Sequence, residues 1–325
     1  MGQNLARAFW VTGPGRGEIR IEPEPHAGPG GAIVQALYSG VSRGTEALVF
    51  RGGVPPGEYA RMRAPFQQGE FPGPVKYGYA SAGRVLEGPA ALLGREVFCL
   101  FPHQSAYAVP VAALHPLPPG VPAARAVLAA NLETAINGAW DAGVLPGDRV
   151  SVIGAGTVGC LVAWLVARIP GCEVQLIDIN ERRHEIAQRL GVDFALPGEA
   201  RGEADLVVHA SASSQGLALA LELAAVEATV LEMSWYGAGE QSVPLGGRFH
   251  SQRLRLVSSQ VGAVAPAQRR RWSHARRLEL ALRLLAAPEL DALVTSEGSL
   301  DDLPATMARL ATQPGDTLLH RVRYP

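Results

Sequence analysis

The feature that most constrains this chain is the run from Arg149 to Asp178. A short apolar segment, 149–153, leads into Gly154-Ala155-Gly156-Thr157-Val158-Gly159. Residues 157–168 are then apolar nearly all round, which predicts a buried helix. A second apolar segment, 173–177, ends at Asp178. A Gly-x-Gly-x-x-Gly turn carries little weight alone. Between a strand and a helix, with an acid closing the next strand, it reads as a dinucleotide-binding unit. Gly154 permits the tight turn, Gly156 lets backbone approach a pyrophosphate, and Gly159 lets helix pack on strand. The helix N-terminus then offers N–H groups and partial positive charge to phosphates. Asp178 is expected to accept hydrogen bonds from ribose hydroxyls and to repel a 2′-phosphate, which favours NAD over NADP. Arg182 and Arg183 follow it. They read either as exposed helix charges or as partners for such a phosphate.

The texture around this unit sets the fold class. Strands at 149–153, 173–177, 205–209 and 228–233 alternate with helices at 157–168, 181–190 and 215–225, so the expected core is a doubly wound parallel α/β sheet. Residues 1–120 differ. They are broken by Pro and Gly in 28–31, 54–57 and 71–74, with β-type runs at 32–38, 82–86, 96–100 and 106–109. This predicts a mainly antiparallel β domain. Two further helices are expected at 123–130 and 133–142, one long helix at 264–287, and a strand at 317–322. The expected division is 1–131 with 264–325 as one domain and 132–263 as the other.

Composition excludes several classes. Lys plus Arg number 29 against 30 Asp plus Glu, a net charge of −1, so no basic surface for nucleic acid is expected. The longest apolar stretch is too short for a membrane span, and the N-terminus lacks a signal-peptide pattern. The three cysteines, Cys99, Cys160 and Cys172, have no CxxC spacing and form neither a disulfide framework nor a thiolate zinc cluster. A cytoplasmic protein acting on a small molecule, with no nucleic-acid or membrane partner, is expected.

Other segments extend the match. Ser39-Gly40-Val41-Ser42-Arg43-Gly44-Thr45-Glu46, Lys76-Tyr77-Gly78-Tyr79-Ala80-Ser81-Ala82-Gly83, Gly94-Arg95-Glu96-Val97-Phe98 and Leu145-Pro146-Gly147-Asp148-Arg149-Val150 resemble the "GxCGTD", "GHExxG", "GDRV" and pre-nucleotide segments of the medium-chain dehydrogenase/reductase superfamily. The resemblance runs over nearly the whole chain. It implies a GroES-like substrate domain, completed by the C-terminus, around an inserted Rossmann domain, and a homodimer. Where zinc-dependent members carry Cys, His, Glu and a later ligand, this chain has Ser42 (with Arg43 inserted), Tyr79, Ala80 and Ala130. No zinc is therefore expected, and hydrogen-bond donors must replace the Lewis acid.

Tyr79 is the first candidate proton donor, the alternative being a ring that fills the emptied site. Lys76 could lower its pKa, or could simply face solvent. Thr45 matches a position that handles the substrate proton, or caps a helix starting at Glu46. His103 could act as relay or acid, or sit on a surface loop; Ser42 is a further candidate and Glu46 a weaker one. The cofactor-binding set is Gly154, Gly156, Thr157, Val158, Gly159, Asp178, Ile179, Arg183, Ala210, Ser211, Ser234 and Trp235. Residues 50–73, with Phe50, Tyr59, Met62, Arg63 and Phe66, read as a pocket-shaping loop, a lid or a dimer contact. The run Arg269–Arg271 reads as a solvated helix face. The function expected is zinc-independent hydride transfer between NAD(H) and a carbonyl or alcohol carbon. The alternatives are an NADPH-dependent quinone or enone reductase and a non-catalytic redox sensor.

Overall fold

The computed structural model describes residues 5–325. The chain forms two compact units, one containing residues up to Ala130 together with Leu282–Pro325, the other Asn131–Ala281.

The second unit is built on a six-stranded parallel sheet in the order Asp193–Ala195, Glu173–Ile177, Arg149–Ile153, Ala204–His209, Ala224–Glu232, Arg255–Ser258. Strand order reverses about the central strand, the doubly wound arrangement that opens a crevice at the carboxyl ends. Register aligns those ends: Ile153 lies beside Ile177 and His209, and His209 beside Glu232. Everything that follows these residues therefore emerges along one edge. The helix Thr157–Val166 buries Cys160, Leu161, Val162, Ala163, Trp164 and Val166, as its uniformly apolar sequence requires.

The first unit holds a seven-stranded sheet centred on the long strand Gly31–Val41, which pairs antiparallel with Ser81–Glu87, Ala106–Pro110 and the closing strand Leu319–Arg323. A smaller sheet is made by Arg16–Glu22, Ala6–Gly13, Val75–Lys76 and Gln68–Gly69. The pairing is antiparallel except between Val294–Ser299 and Leu319–Arg323. The expected α/β class, a doubly wound parallel sheet beside a mainly antiparallel β domain, is the observed one.

Two local readings are corrected. The long helix expected over 264–287 is only His274–Leu284. Pro266 and three consecutive arginines precede it, and residues 266–271 run in turns; the Ser273 hydroxyl accepts the Arg276 N–H at 3.2 Å, so the helix starts there. Arg269–Arg271 are exposed, but on turns. Arg277 is instead buried, 1% exposed, where its guanidinium meets Glu133 at 3.0 Å and the Val261 carbonyl at 2.6 Å. That contact ties 264–281 to the second unit, whereas the sequence division grouped them with the first. The second correction concerns Thr45. The helix beside it is Arg43–Phe50 with Ser42 at the N-cap, so Thr45 lies inside the first turn and is not a cap.

Candidate active site

In the first unit the sequence candidates assemble around Glu46. Ser42 makes no side-chain capping bond. Glu46, one turn on and 3% exposed, reaches back so that Oε1 accepts the Ser42 N–H at 2.7 Å. Its other oxygen, Oε2, lies 2.8 Å from His103 Nε2. His103 Nδ1 lies 2.7 Å from Ser39 Oγ, which lies 2.9 Å from the Tyr324 hydroxyl. The bonds fit one polarity. Tyr324 donates to Ser39, Ser39 to Nδ1, and Nε2–H to the carboxylate. Gly78, at φ +130°, makes this possible: a Cβ there would stand 2.9 Å from His103 Cδ2. His103 is thus a buried network residue, not a surface-loop histidine.

Tyr79 stands close enough to Glu46, Ser42 and Thr45 for all three to act on its acidity. Burial raises the phenol to about 12, the Glu46 carboxylate adds to the rise, and the two hydroxyls oppose it. At neutral pH Tyr79 is a hydrogen-bond donor. Lys76 is not brought to it. The ammonium is 1% exposed but turned away, bonded to Gln104 Oε1 at 2.6 Å, 3.5 Å from Glu22 and over the Trp10 ring. Lys76 neither faces solvent nor lowers the Tyr79 pKa, so both readings of it are set aside.

Residues 50–73 supply aromatic rings. Tyr59 meets Phe71, Phe71 meets Tyr77, and Tyr77 meets Tyr79 edge-on, with centroids 5.6, 5.6 and 5.9 Å apart. Phe50 is core, packed on Phe9. Phe66 is partly exposed over Phe101, and Arg63 bonds Glu70.

In the second unit the glycine turn has the shape a pyrophosphate needs. A Cβ on Gly154 would stand 2.7 Å from the Ser211 nitrogen, and one on Gly159 would stand 1.9 Å from the Gly154 carbonyl oxygen. A Cβ on Gly156 would meet nothing within 4 Å. Two glycines are therefore required by packing, and the third opens onto free space. Gly156 is also the N-cap of Thr157–Val166 and offers no side-chain cap, so first-turn N–H groups stay available beside Thr157 and Val158. The Asp178 carboxylate closes the turn, accepting the Ala155 N–H at 2.6 Å and the Asn180 N–H at 2.9 Å. Ile179 is 86% exposed next to it. Arg182 is exposed, whereas Arg183 is buried and close enough to influence the Cys160 thiol. Ala210, Ser211, Ser234 and Trp235 follow the next two strands on the same sheet edge. There the Ala212 N–H donates to Ser234 Oγ at 3.1 Å. These residues fit a dinucleotide.

Comparison with known proteins agrees with this architecture. The ketopantoate reductase PanE/ApbA family matches residues 150–229. D-guloside 3-dehydrogenase of Escherichia coli K12 is 28% identical over 184 residues, 53% of either chain, so the match spans about half the length of that relative. Among solved structures, a dehydrogenase from Sinorhizobium meliloti, described as zinc-binding and bound to NADP, superposes with a TM-score of 0.79 at 17% identity, covering 99% of this chain and 100% of the other. A short chain alcohol dehydrogenase from Escherichia coli complexed with NADH gives 0.78 at 15% identity, covering 98% and 99%. The fold is that of the alcohol-dehydrogenase-like medium-chain dehydrogenases.

The four positions that the sequence resemblance sets against zinc ligands carry other chemistry. Ser42, Tyr79, Ala80 and Ala130 present a hydroxyl, a phenol and two methyl groups, where zinc takes thiolate, imidazole or carboxylate. Among the described residues no group of three or more His, Cys, Asp or Glu could hold a metal ion. His103 and Glu46 are bonded to each other, to Ser39 and to the Ser42 backbone. Ser39 and Tyr324 were missed as site residues from sequence. They enter through the closing strand, which pairs Val322 with Ser39.

Proposed function

We propose that this chain is a zinc-independent, NAD(H)-preferring oxidoreductase that moves hydride between nicotinamide and the carbonyl or alcohol carbon of a small polar substrate. The observation that carries the reading is the Tyr79 phenol, kept protonated by burial and by the nearby Glu46 carboxylate, at the position where the resemblance expects a metal ligand. A bound nicotinamide would supply the hydride. Tyr79 would donate to the carbonyl oxygen as negative charge develops on it. Ser42 and Thr45 would orient the phenol, and the Glu46–His103–Ser39–Tyr324 chain would hold that shell rigid. Gly156 and the start of the helix Thr157–Val166 would take the pyrophosphate, and Asp178 the ribose hydroxyls. A relative whose name specifies oxidation of a sugar hydroxyl, D-guloside 3-dehydrogenase, supports a polyhydroxylated substrate. A homodimer in the cytoplasm is the setting this reading assigns.

The test uses NADH deuterated at C4 with a panel of ketoses, hydroxyketones and simple ketones, in chelator-treated buffer. Deuterium on the former carbonyl carbon of a product supports the proposal. Consumption of NADPH with enones, and none with any ketone, overturns it in favour of C=C reduction.

A further inference from the structure

One constellation on the dinucleotide's sheet edge has no part in the hydride transfer itself. Strand Ala204–His209 ends in His209, whose side chain is fully buried, and passes through Ala210, Ser211 and Ala212 into the helix Ser214–Leu223. Ser211 Oγ lies 2.7 Å from His209 Nε2, and His209 Nδ1 lies 2.7 Å from Glu232 Oε2. The pairing of strands Ala204–His209 and Ala224–Glu232 sets His209 directly beside Glu232.

The surroundings fix roles for all three. Glu232 Oε1 accepts the Ser234 N–H at 2.7 Å, and Oε2 accepts the Tyr236 hydroxyl at 3.0 Å. The bonds from His209 and Ser234 hold the carboxyl below its ordinary range although burial pushes it up. An ionised Glu232 orders His209 with its proton on Nδ1, leaving Nε2 to accept from Ser211. The Gly216 N–H donates to Ser213 Oγ at 3.0 Å, and Ser213 Oγ lies 2.9 Å from Ser211 Oγ. One direction of donation then runs from Gly216 through Ser213, Ser211 and His209 to Glu232.

Two backbone features single out this turn. Ala212 has φ +54°, a conformation that costs an alanine free energy and persists only where surrounding structure imposes it. Gly216 has no side chain, and a Cβ there would stand 2.2 Å from Ser211 Oγ and 2.8 Å from His209 Nε2. Ser211 is half-buried and stands just before the helix Ser214–Leu223 begins. The Ser214 and Gln215 N–H groups have no intrahelical acceptor by helix geometry.

We propose that Ser211, His209 and Glu232 form a nucleophile–base–acid relay that hydrolyses small activated carboxylic esters, an activity separate from hydride transfer but on the sheet edge assigned to the dinucleotide, so that it belongs to the nucleotide-free chain. Ser211 Oγ attacks the ester carbonyl carbon and its proton passes to His209 Nε2. The C–O bond to the leaving group breaks, and that group departs with the proton from His209. Water then adds to the acyl-serine, giving a proton to His209, and the acid is released as Ser211 recovers its proton. The sum is ester plus water to acid plus alcohol, with no oxidant or reductant. Ser211 and His209 are the catalytic residues, and Glu232 is a positioning residue.

The test treats the full chain with a fluorophosphonate, which forms a serine–phosphorus bond with loss of fluoride, and locates the adduct by peptide mass spectrometry. One adduct on Ser211 is expected, absent in Ser211→Ala and formed ~100-fold more slowly in His209→Asn. p-Nitrophenyl acetate should give a nitrophenolate burst of one per chain in the unsubstituted protein and none in Ser211→Ala. Because the labelling uses the unsubstituted protein, misfolding of a variant cannot mask the answer. No adduct, an adduct on another residue, or an unchanged burst in Ser211→Ala overturns the proposal.

Discussion

Replacing Gly156 by Ala separates a ligand-binding role from a packing role more cleanly than any other change in the glycine turn. The backbone at Gly156 (φ −77°, ψ 178°) suits any residue, and a Cβ there meets no atom within 4 Å. Alanine narrows the unfolded ensemble, a gain of about 0.4–1 kcal/mol, and is a poorer N-cap than glycine by a similar amount. The two nearly cancel, so thermal unfolding should shift by no more than ~2 °C. A dinucleotide that brings its pyrophosphate against this backbone would meet the new methyl group. NADH affinity by calorimetry should fall at least tenfold, or about 1.4 kcal/mol. Gly159→Ala is the control. Its Cβ would stand 1.9 Å from the Gly154 carbonyl oxygen, a backbone atom that no rotamer change can remove. Overpacking of this kind costs about 3 kcal/mol, and the melting temperature should drop by ~6–12 °C. A Gly156→Ala protein that binds NADH as tightly as its parent refutes the reasoning. So does one that loses stability as Gly159→Ala does.

Tyr79→Phe should leave NADH affinity unchanged while lowering turnover of a carbonyl substrate by about 10²–10⁴-fold, read as kcat against KM. His320, buried beside Ser296 and shifted by burial to about 4 from 6.5, is neutral in the folded chain. Between pH 6.5 and 4 the unfolded chain binds more protons, so stability must fall as pH falls through that window. The loss from pH 7 to pH 5 should be about 2 kcal/mol in urea unfolding and should shrink in His320→Gln. Arg277→Met would leave the buried Glu133 carboxylate without its cation, and should cost about 3–5 kcal/mol of stability in the second unit, whereas replacing both residues by apolar ones should recover most of it.

What the sequence revealed follows from which interactions are local. The strands Arg149–Ile153 and Glu173–Ile177 were legible to the residue, because each is a short apolar run bounded by turn residues. The helix at 264–287 was over-read because its leucine stripe is periodic, while Pro266 and Ser273 decide where helix can begin. The hairpin Ala6–Gly13 and Arg16–Glu22 was not read at all, although Pro14-Gly15 is a turn signal and Gly15 has φ +72°. Among site residues, the glycines and Asp178 were readable because motif spacing alone relates them. The pairs Glu46–His103, Ser39–Tyr324 and His209–Glu232 join residues 57, 285 and 23 positions apart. Strand pairing and loop packing create them, and no local pattern records that. Lys76 shows the converse. Its closeness to Tyr79 in sequence suggested a partnership, and the short strand Val75–Lys76 instead carries its ammonium to Gln104 and Glu22.

The most direct test of the account titrates NADH and NADPH separately into protein dialysed against a strong chelator, with calorimetry as the readout. The Asp178 carboxylate beside the glycine turn, together with the proposal that Tyr79 takes the part of a metal, predicts stoichiometric NADH binding in metal-free protein, at least tenfold tighter than NADPH. Tighter binding of NADPH, or binding of either nucleotide that returns only when zinc is restored, would contradict it.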